Sequence, residues 1–240
     1  WEARPHKFVT KAVHEHGAKI CAQLLHAGRY GYHPLTVAPS KLKAPINPFT
    51  PRALSARGIE RQISAYANAA KLARDAGYDG VEIMGSEGYF INEFTAPRTN
   101  KRDDAWGGTP EKRMRFAVEI VRRTREAVGK DFILIYRLSM LELVEGGSDW
   151  DEIVLQAKAI EAAGGRALPI VGDVRNDDDI TEAVMKTQGE FGGIDIVVNN
   201  ASVIDLSGSL DLAAKKYDLM QDVNVRGTFM LSRAAVPILK

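Results

Sequence analysis

Short apolar runs alternate with longer amphipathic segments along most of the chain. The first run occupies residues 19–25, and comparable runs follow at residues 80–84 and 132–137. Two further runs lie at residues 167–171 and 194–198. Short apolar runs flanked by helical segments are typical of strands that are buried on both faces of a parallel sheet. The pattern therefore predicts five strands joined by helices.

The segments between these runs carry apolar residues at helical spacing, and several have recognisable ends. One helix is predicted over about residues 58–76, where Gly77 suits a C-terminal cap. The next begins at Thr109 and Pro110, a capping hydroxyl followed by a residue that the first helical turn tolerates. A third opens at residues 148–151 with a sequence close to a capping box. Repeated strand–helix alternation predicts an α/β fold with a mainly parallel sheet.

Composition narrows the class of protein without identifying it. Among 240 residues, 45% are hydrophobic and 26% are charged, and the formal net charge is +1. A nearly neutral chain offers no strong attraction to nucleic acid or to a membrane surface, and no run approaches the ~20 apolar residues of a membrane span. Cys21 is the single cysteine, which excludes an internal disulfide and a cysteine cluster for zinc or iron–sulfur. We expect a small-molecule substrate and a cytoplasmic setting.

Polar side chains are concentrated after the first three predicted strands. Ligands of parallel α/β folds bind at the carboxyl ends of the strands, so these loops are where chemistry is expected. The first loop begins at His26, includes Arg29 and is long and rich in Pro and Gly. Long loops inside compact domains are usually functional. The second loop holds Glu87 and Tyr89, and the third strand ends at Arg137.

Four stretches in this region form a long and specific signature: residues 76–83, 88–94, 100–108 and 113–116. With them, the region from about residue 6 to residue 164 resembles the central part of the old yellow enzyme family, in particular its 2,4-dienoyl-CoA reductase branch. The resemblance implies a partial (β/α) barrel with FMN as cofactor and NADPH as reductant. It predicts an ene-reductase.

The resemblance also assigns roles to individual residues. Gln23 and Arg137 match the residues that bind the pyrimidine edge of FMN, where a fixed cation stabilises the anionic reduced flavin. Tyr89 matches the tyrosine that donates a proton to the substrate carbon. The positions that match substrate-binding residues are His26, Arg29, Met84 and Glu87.

Several of these roles have structural alternatives. Arg137 is otherwise a solvated or salt-bridged strand end, and Tyr89 otherwise has a packing role. His26 and Arg29 either line the pocket or order the long loop. Met84 stands where many relatives carry a histidine that grips a carbonyl, and this departure favours the dienoyl-CoA reductase branch.

Much of the family's cofactor site has no counterpart in the sequence. Of the eight barrel strands, only the third, fourth and fifth are recognisable. The strands that supply other flavin contacts and hold the FMN phosphate are absent. So are the iron–sulfur cluster and second flavin domain of the branch. We therefore expect an incomplete flavin site and an inactive chain.

The signature changes at about residue 165. Three stretches, residues 172–175, 191–202 and 224–228, resemble a short-chain dehydrogenase/reductase, with hydroxysteroid-dehydrogenase-like members closest. This second resemblance implies a partial Rossmann fold and NAD(P) as cofactor. The family's glycine-rich turn is absent, and its Ser and Tyr-x-x-x-Lys would lie beyond Lys240.

The second resemblance also assigns residue roles. Asp173 would hydrogen-bond the adenine, with Val174 packing beside it. Asn199 and Ala201 would line the cofactor ribose region, and Asn224 would hold a catalytic water. The alternatives are that Asp173 only ends a strand and that Asn199 only makes a turn.

The two resemblances together predict a chimera, with a barrel fragment over residues 1–164 and a Rossmann fragment over residues 165–240, merged into one domain. Two strand orders are open. In the preferred one, an open doubly wound sheet, the strands at 80–84 and 132–137 lie between the last two. The alternative keeps sequential, barrel-like neighbours and leaves two open edges. Open edges invite pairing between copies, which predicts a homo-oligomer.

Three functions follow from these readings. The first is an FMN- and NADPH-dependent ene-reductase that uses Gln23, Arg137 and Tyr89. The second is an NAD(P)-dependent short-chain dehydrogenase that uses Asp173, Asn199 and Asn224. The third is a chimeric scaffold that folds but catalyses nothing.

Overall fold

The computed structural model describes residues 3–139, 142, 144–163, 168, 170–205 and 207–239. The chain divides into two compact units, Trp1–Ala167 and Leu168–Lys240. The elements of the first unit are α1 Ala3–Glu15, β1 Cys21–Leu24, β2 Val37–Ala38, β3 Arg52–Ala53, α2 Ala56–Asp75, β4 Gly80–Gly85, α3 Phe90–Thr95, α4 Pro110–Val128, β5 Ile133–Leu138 and α5 Trp150–Ala162.

The central sheet of the first unit has three parallel strands in the order β1-β4-β5. Cys21 pairs with Gly80, and Gly80 pairs in turn with Ile133, so the strand starts are aligned. Side chains alternate between the two faces of a strand. On β4, Val81 and Ile83 face the helices and are fully buried. A separate pair of short parallel strands, β2 and β3, lies in the segment between β1 and α2.

Two amphipathic helices, α2 and α4, cover one face of this sheet. The apolar positions of α2 recur at three- and four-residue spacing, and Ile59, Ile63 and Ala70 are fully buried. Ile59 and Ile63 join a core that includes Phe116 and Ile83, and Ala70 joins a second cluster with Val81 of β4. This burial fixes which face of the sheet the helices cover, and the opposite face carries polar side chains beside apolar ones such as Met84 and Ile135.

An aromatic cluster closes the core near the carboxyl ends of the strands. Phe94 stacks on Phe116 with 4.1 Å between ring centroids. Phe90 meets both rings edge-on, at 5.5 Å from Phe94 and 5.4 Å from Phe116. All three side chains are fully buried. The short helix α3, which carries Phe90 and Phe94, is thereby fixed to the main core.

The predicted helix boundaries in the first unit lie within about two residues of the observed ones, but the predicted hydroxyl cap is not formed, because the Thr109 side chain makes no capping hydrogen bond. Ser55 caps α2 by accepting a hydrogen bond from the Gly58 amide, and Gly77 follows the helix with φ of +91°. Thr109 precedes α4, whose first residue is Pro110. Asp149 caps α5 by accepting from the Glu152 amide.

The α/β class and the parallel sheet are confirmed, but the strand count differs from the prediction. Residues 196–198 form no strand, and Ile194 makes an isolated bridge to Leu239. Of the predicted strand at 167–171, residues 167 and 169 lie outside the described residues, and the others are not in a strand. An apolar run becomes a strand only where neighbouring strands pair with it. Val171, Ile196 and Val198 are instead more than 60% exposed.

The preferred doubly wound order is likewise not the one observed. Within the described part of the chain, β1, β4 and β5 follow one another in sequential order, as in the barrel-like alternative, and the sheet does not close. Leu134 and Tyr136 of β5 pack on the same cluster as α2 and α4, so the two helices share one face. Crossovers of a single hand keep successive helices on the same side of such a sheet.

Within the described residues, the regular elements of the second unit are helices, and long irregular segments connect them. Its elements are α6 Asp177–Phe191, α7 Ala214–Gln221, a π-helical segment Asp222–Gly227, α8 Thr228–Ala235 and a 3₁₀ turn Val236–Ile238. The Asn176 side chain caps α6 by accepting from the Asp178 amide. Ile180, Val184 and Met230 are among its few buried apolar residues. No helix in the described ranges is both long enough and apolar enough to span a membrane.

Candidate functional site

A row of polar side chains lies on the sheet face opposite α2 and α4. The register places Gln23 beside Glu82 and Met84 beside Arg137. Gln23 Nε2 donates a hydrogen bond of 2.6 Å to Glu82 Oε1. The guanidinium of Arg137 lies 3.8 Å from the same oxygen. The structure therefore joins the two predicted flavin-binding residues through Glu82, which the sequence analysis did not select.

Arg137 also pairs with the predicted substrate residue Glu87. Its guanidinium donates to Glu87 Oε1 at 2.6 Å, and the Glu87 amide donates to Ser139 Oγ at 3.2 Å. Glu87 has φ of +63°, which is uncommon for a residue with a Cβ and marks a constrained turn. Arg137 is thus a salt-bridged strand end, yet its side chain keeps 26% of its surface exposed.

The loops after β1 and β4 meet through two tyrosines. Tyr89, the predicted proton donor, is half-buried at the start of α3. Its ring lies 6.0 Å from the ring of Tyr30 in an edge-on arrangement. The Arg29 guanidinium lies 5.4 Å from the centre of the Tyr30 ring. Arg29 and Tyr89 are therefore connected through Tyr30.

His26 makes contacts that order the loop after β1. Its ring stacks on Phe90 at 4.1 Å, and its Nδ1 accepts a hydrogen bond of 3.0 Å from the Gly28 amide. Burial lowers the pKa of His26, which favours the neutral imidazole that this acceptor role requires. These contacts match the loop-ordering alternative for His26, and its role toward a substrate stays a prediction.

Met84 is buried and has a close sulfur contact. Its side chain is 3% exposed, and Ser86 Oγ lies 3.6 Å from its sulfur. Direct contact with a substrate requires that neighbouring side chains move aside. The substrate role of Met84 therefore stays a prediction.

A fully buried carboxyl group, Glu93, lies beneath the 3₁₀ turn Gly28–Tyr30. Glu93 Oε1 accepts a hydrogen bond of 2.8 Å from the Arg29 amide. Burial raises the pKa of Glu93 to about 8, against the opposing effects of the Arg29 amide and guanidinium. The sequence analysis missed this residue. The available signal was a charged side chain between Ile91 and Phe94 in an apolar helical stretch.

In the second unit, the predicted cofactor residue Asp173 and the predicted water-holding residue Asn224 both have partners within the protein. Arg175 donates to Asp173 through its side chain and backbone and lowers the pKa of Asp173 to about 2. The Asn224 amide group accepts from Val203 N and donates to Val203 O, both at 2.9 Å. An adenine ring or a water molecule has to displace these partners.

Three other predicted residues of this unit, Val174, Asn199 and Ala201, line one small cavity. Asn199 Nδ2 also donates to Ser232 Oγ at 3.1 Å. The cavity has a volume of about 100 Å³, which is smaller than the ~300–1,000 Å³ of ordinary small-molecule sites. Across the described residues of both units, no group of His, Cys, Asp and Glu side chains could hold a metal ion.

Comparison with known proteins confirms the two-part resemblance. The model of the NADH:flavin oxidoreductase / NADH oxidase family matches residues 2–191. A second family model, described as Enoyl-(Acyl carrier protein) reductase, matches residues 148–240. Hydroxysteroid dehydrogenase-like protein 2 of Mus musculus is 54% identical over 88 residues, which are 37% of this chain and 18% of that protein.

The first unit is similar to flavin-dependent oxidoreductases in sequence and fold. An NADH oxidase of Thermoanaerobacter brockii is 42% identical over 167 residues, which cover 68% of this chain and 26% of that protein. The structure of the old yellow enzyme homologue of Zymomonas mobilis superposes with a TM-score of 0.63 at 32% identity, over 68% of this chain and 50% of that one. A 2-naphthoyl-CoA reductase gives a TM-score of 0.64 at 35% identity, over 67% and 27%.

The chain thus spans between about a quarter and a half of the length of these flavin-dependent relatives. The matched region contains Gln23, Arg137 and the loop that carries Tyr89. This chain belongs to the NADH:flavin oxidoreductase / NADH oxidase family.

Proposed function

We propose that the first unit is the flavin-binding part of an ene-reductase of the old yellow enzyme type that uses NAD(P)H. The observation that carries this proposal is the polar row Gln23–Glu82–Arg137 at the carboxyl end of a parallel sheet, next to the loop of Tyr89. Ligands of such sheets bind at this end of the strands. Family membership over residues 2–191 supports the same conclusion.

The residues present fit the polar edge of a flavin ring. That edge carries carbonyl oxygens and a ring N–H, which need donors and an acceptor. Gln23 can supply either, and Arg137 supplies donors only. Gln23 is exposed on the sheet face away from α2 and α4, and Arg137 is partly exposed there. We assign no group among the described residues to the flavin phosphate, so the ring edge is the part of FMN that these residues hold.

FMN, when bound, would carry hydride from NAD(P)H to an electron-poor carbon–carbon double bond. The part of Arg137 is electrostatic, because a fixed guanidinium favours negative charge at the pyrimidine edge. Glu82 would orient Gln23 and Arg137 through its carboxylate. Tyr89 would donate its phenolic proton from Oη to the substrate carbon. Thioesters of coenzyme A that carry such a double bond are the proposed substrate class.

We also propose that this chain binds flavin without sustained turnover. The flavin phosphate has no assigned partner. Without contacts to this charged group, much of the protein's affinity for the cofactor is lost. In the second unit, Asp173 and Asn224 are engaged by Arg175 and Val203. Neither unit thus presents a complete set of catalytic groups among its described residues.

Substitution of Arg137 tests the proposed flavin site. We expect Arg137→Met to weaken FMN binding, measured by quenching of flavin fluorescence, by about 10- to 100-fold, because hydrogen bonds to charged groups contribute ~1.5–3 kcal/mol. The matched control is Arg122→Met on α4, an arginine that pairs with Glu119 and Glu126 instead. Equal FMN affinity of the two variants would rule out Arg137 as a flavin contact.

A second candidate function is NAD(P) binding in the second unit, proposed together with the chimeric origin of the chain. It is favoured by the family model that matches residues 148–240 and by the position of Val174, Asn199 and Ala201 around one cavity, which has to widen to admit the cofactor. A cofactor that binds only the folded state raises the melting temperature. We expect a rise with millimolar NADPH that Asn199→Ala reduces. A melting temperature that is unaffected by NADPH would contradict NAD(P) binding and would favour a non-catalytic scaffold for this unit.

A further inference from the structure

Glu93 is a titratable group that the proposed chemistry does not use. Its side chain is fully buried, and Oε2 has no hydrogen-bond partner among the described residues. The other oxygen accepts only from the Arg29 amide at 2.8 Å. A buried carboxylate without a paired cation is expensive, so burial favours the neutral acid. The elevated pKa of Glu93, about 8, agrees with this geometry.

The groups that surround Glu93 do not supply a paired cation in this arrangement. Arg29 is the near cation, but its guanidinium lies against the Tyr30 ring, and its buried Nε makes no hydrogen bond in the described structure. Tyr66 of α2 contributes a buried hydroxyl, which carries no positive charge. His26 stacks on Phe90 and uses Nδ1 as an acceptor. Arg29 is therefore the group that can respond when Glu93 ionises.

The turn above Glu93 is packed against its carboxyl group. Gly28 has φ of +58°, and a Cβ on this residue would collide with both carboxyl oxygens of Glu93. The Gly28 carbonyl accepts a hydrogen bond from Thr36 Oγ1, which fixes the turn from the other side. The turn and the acid are in direct contact, so a change in the charge of Glu93 acts directly on the turn.

Glu93 also connects two loops that carry predicted site residues. Its backbone amide donates to the Tyr89 carbonyl at 2.8 Å, in the first turn of α3. Its side chain holds the Arg29 amide of the other loop. Thr99 Oγ1 donates to the Glu93 carbonyl at 2.8 Å and completes the attachment. Movement at Glu93 therefore reaches both Arg29 and Tyr89.

We propose that Glu93 is a positioning residue that controls Arg29 through its protonation state. The neutral acid holds the backbone of the turn and leaves the guanidinium against Tyr30. The ionised acid draws the guanidinium inward as its ion-pair partner and withdraws that cation from the face of Tyr30, next to Tyr89. The meaning of this switch for substrate binding rests on the proposed function, whereas its operation requires no flavin.

Nuclear magnetic resonance of the ¹⁵N-labelled full chain tests this proposal without any ligand. The Arg29 amide and Nε–H signals are followed from pH 5 to pH 10. We expect both to titrate together with a midpoint between about pH 7 and 9, well above the ~4.3 of an exposed glutamate. The Nε–H signal should become protected from exchange with water on the alkaline side of the midpoint.

Two isosteric variants identify the titrating group. Glu93→Gln keeps the shape and the acceptor for Arg29, and it should remove the transition from both signals. Glu126→Gln, at an exposed glutamate on α4, should leave the transition unchanged. Persistence of the transition in Glu93→Gln, its absence from the wild-type chain, or a midpoint below about pH 6 would each overturn the proposal. Failure of flavin binding overturns the proposed function alone.

Discussion

Gln23 and Arg137 are both in contact with the Glu82 carboxylate, and Arg137 has a second carboxylate partner in Glu87. Arg137 ends an apolar run and Gln23 lies near the end of another, so parallel topology brings both toward the same edge of the sheet. Glu82 and Glu93 sit within apolar stretches, and their roles depend on contacts with Gln23 and Arg29 that are distant in sequence. A charged residue inside an apolar run is a signal, but sequence does not give its partner.

Alanine substitutions at two glycines distinguish the effect of backbone strain from the effect of contact with Glu93. Gly28 and Gly129 both have positive φ, but a Cβ meets the Glu93 carboxyl only at Gly28 and nothing within 4 Å at Gly129. We expect Gly129→Ala to reduce the free energy of unfolding by about 1–2 kcal/mol, because φ of 81° with ψ of 176° is strained for alanine. Gly28→Ala should cost about 2–4 kcal/mol, since overpacking adds to the strain. Urea denaturation measures both, and equal losses would mean that the carboxyl moves aside freely.

Helices and strands were predictable from the sequence where residues close in sequence determine them. The side chains of Ser55 and Asp149 cap the first turns of α2 and α5, and α4 begins at Pro110, which the first helical turn tolerates. The last two predicted strands failed because strand formation needs partners that a local pattern does not reveal. Residues 196–198 have the composition of a buried strand and are exposed or half-buried outside any sheet. Helices thus carry their own hydrogen bonds, whereas strands depend on their neighbours.

The junction of α1, β1 and β4 depends on one carboxylate, Asp79. It accepts hydrogen bonds from His14 Nε2 at 2.9 Å, Lys19 Nζ at 3.0 Å and the Ile20 amide at 2.9 Å. Burial opposes its ionisation, but these three donors lower the pKa of Asp79 to about 2. Its stabilising contribution is therefore complete above the unfolded-state pKa of ~3.9 and is lost as pH falls toward 2.

Asp79→Asn tests this junction through the pH dependence of stability. At pH 7 we expect the variant to lose about 1.5–3 kcal/mol of unfolding free energy, the usual contribution of hydrogen bonds to a charged group. The difference from wild type should narrow between pH 4 and pH 2 in urea denaturation. A constant difference across that range would show that the charge of Asp79 is not what stabilises the junction.

At the scale of the molecule, the sequence predicted the α/β class and the two-part resemblance but not the strand order. That order depends on which strands pair over long distances, and residues 165–240 supply no strand to the sheet among the described residues. Within the described ranges, β1 and β5 each pair only with β4, which leaves an open edge on either side. Open edges are templates for pairing with another chain.

We propose that copies of the chain associate through these edges. Sedimentation equilibrium should show a weight-average mass that rises with protein concentration. Leu134→Pro on β5 should reduce the association, because proline removes a backbone donor, and circular dichroism must show that the variant still folds. A mass equal to one chain at every concentration would exclude pairing through the edges.

In the proposed function, Gln23, Glu82 and Arg137 form a flavin-binding edge. The most direct test is the absorbance spectrum of the purified chain after incubation with excess FMN and removal of the unbound flavin. We predict that the visible flavin bands stay with the protein and that Arg137→Met diminishes them. A folded protein fraction without flavin absorption would contradict the proposed site.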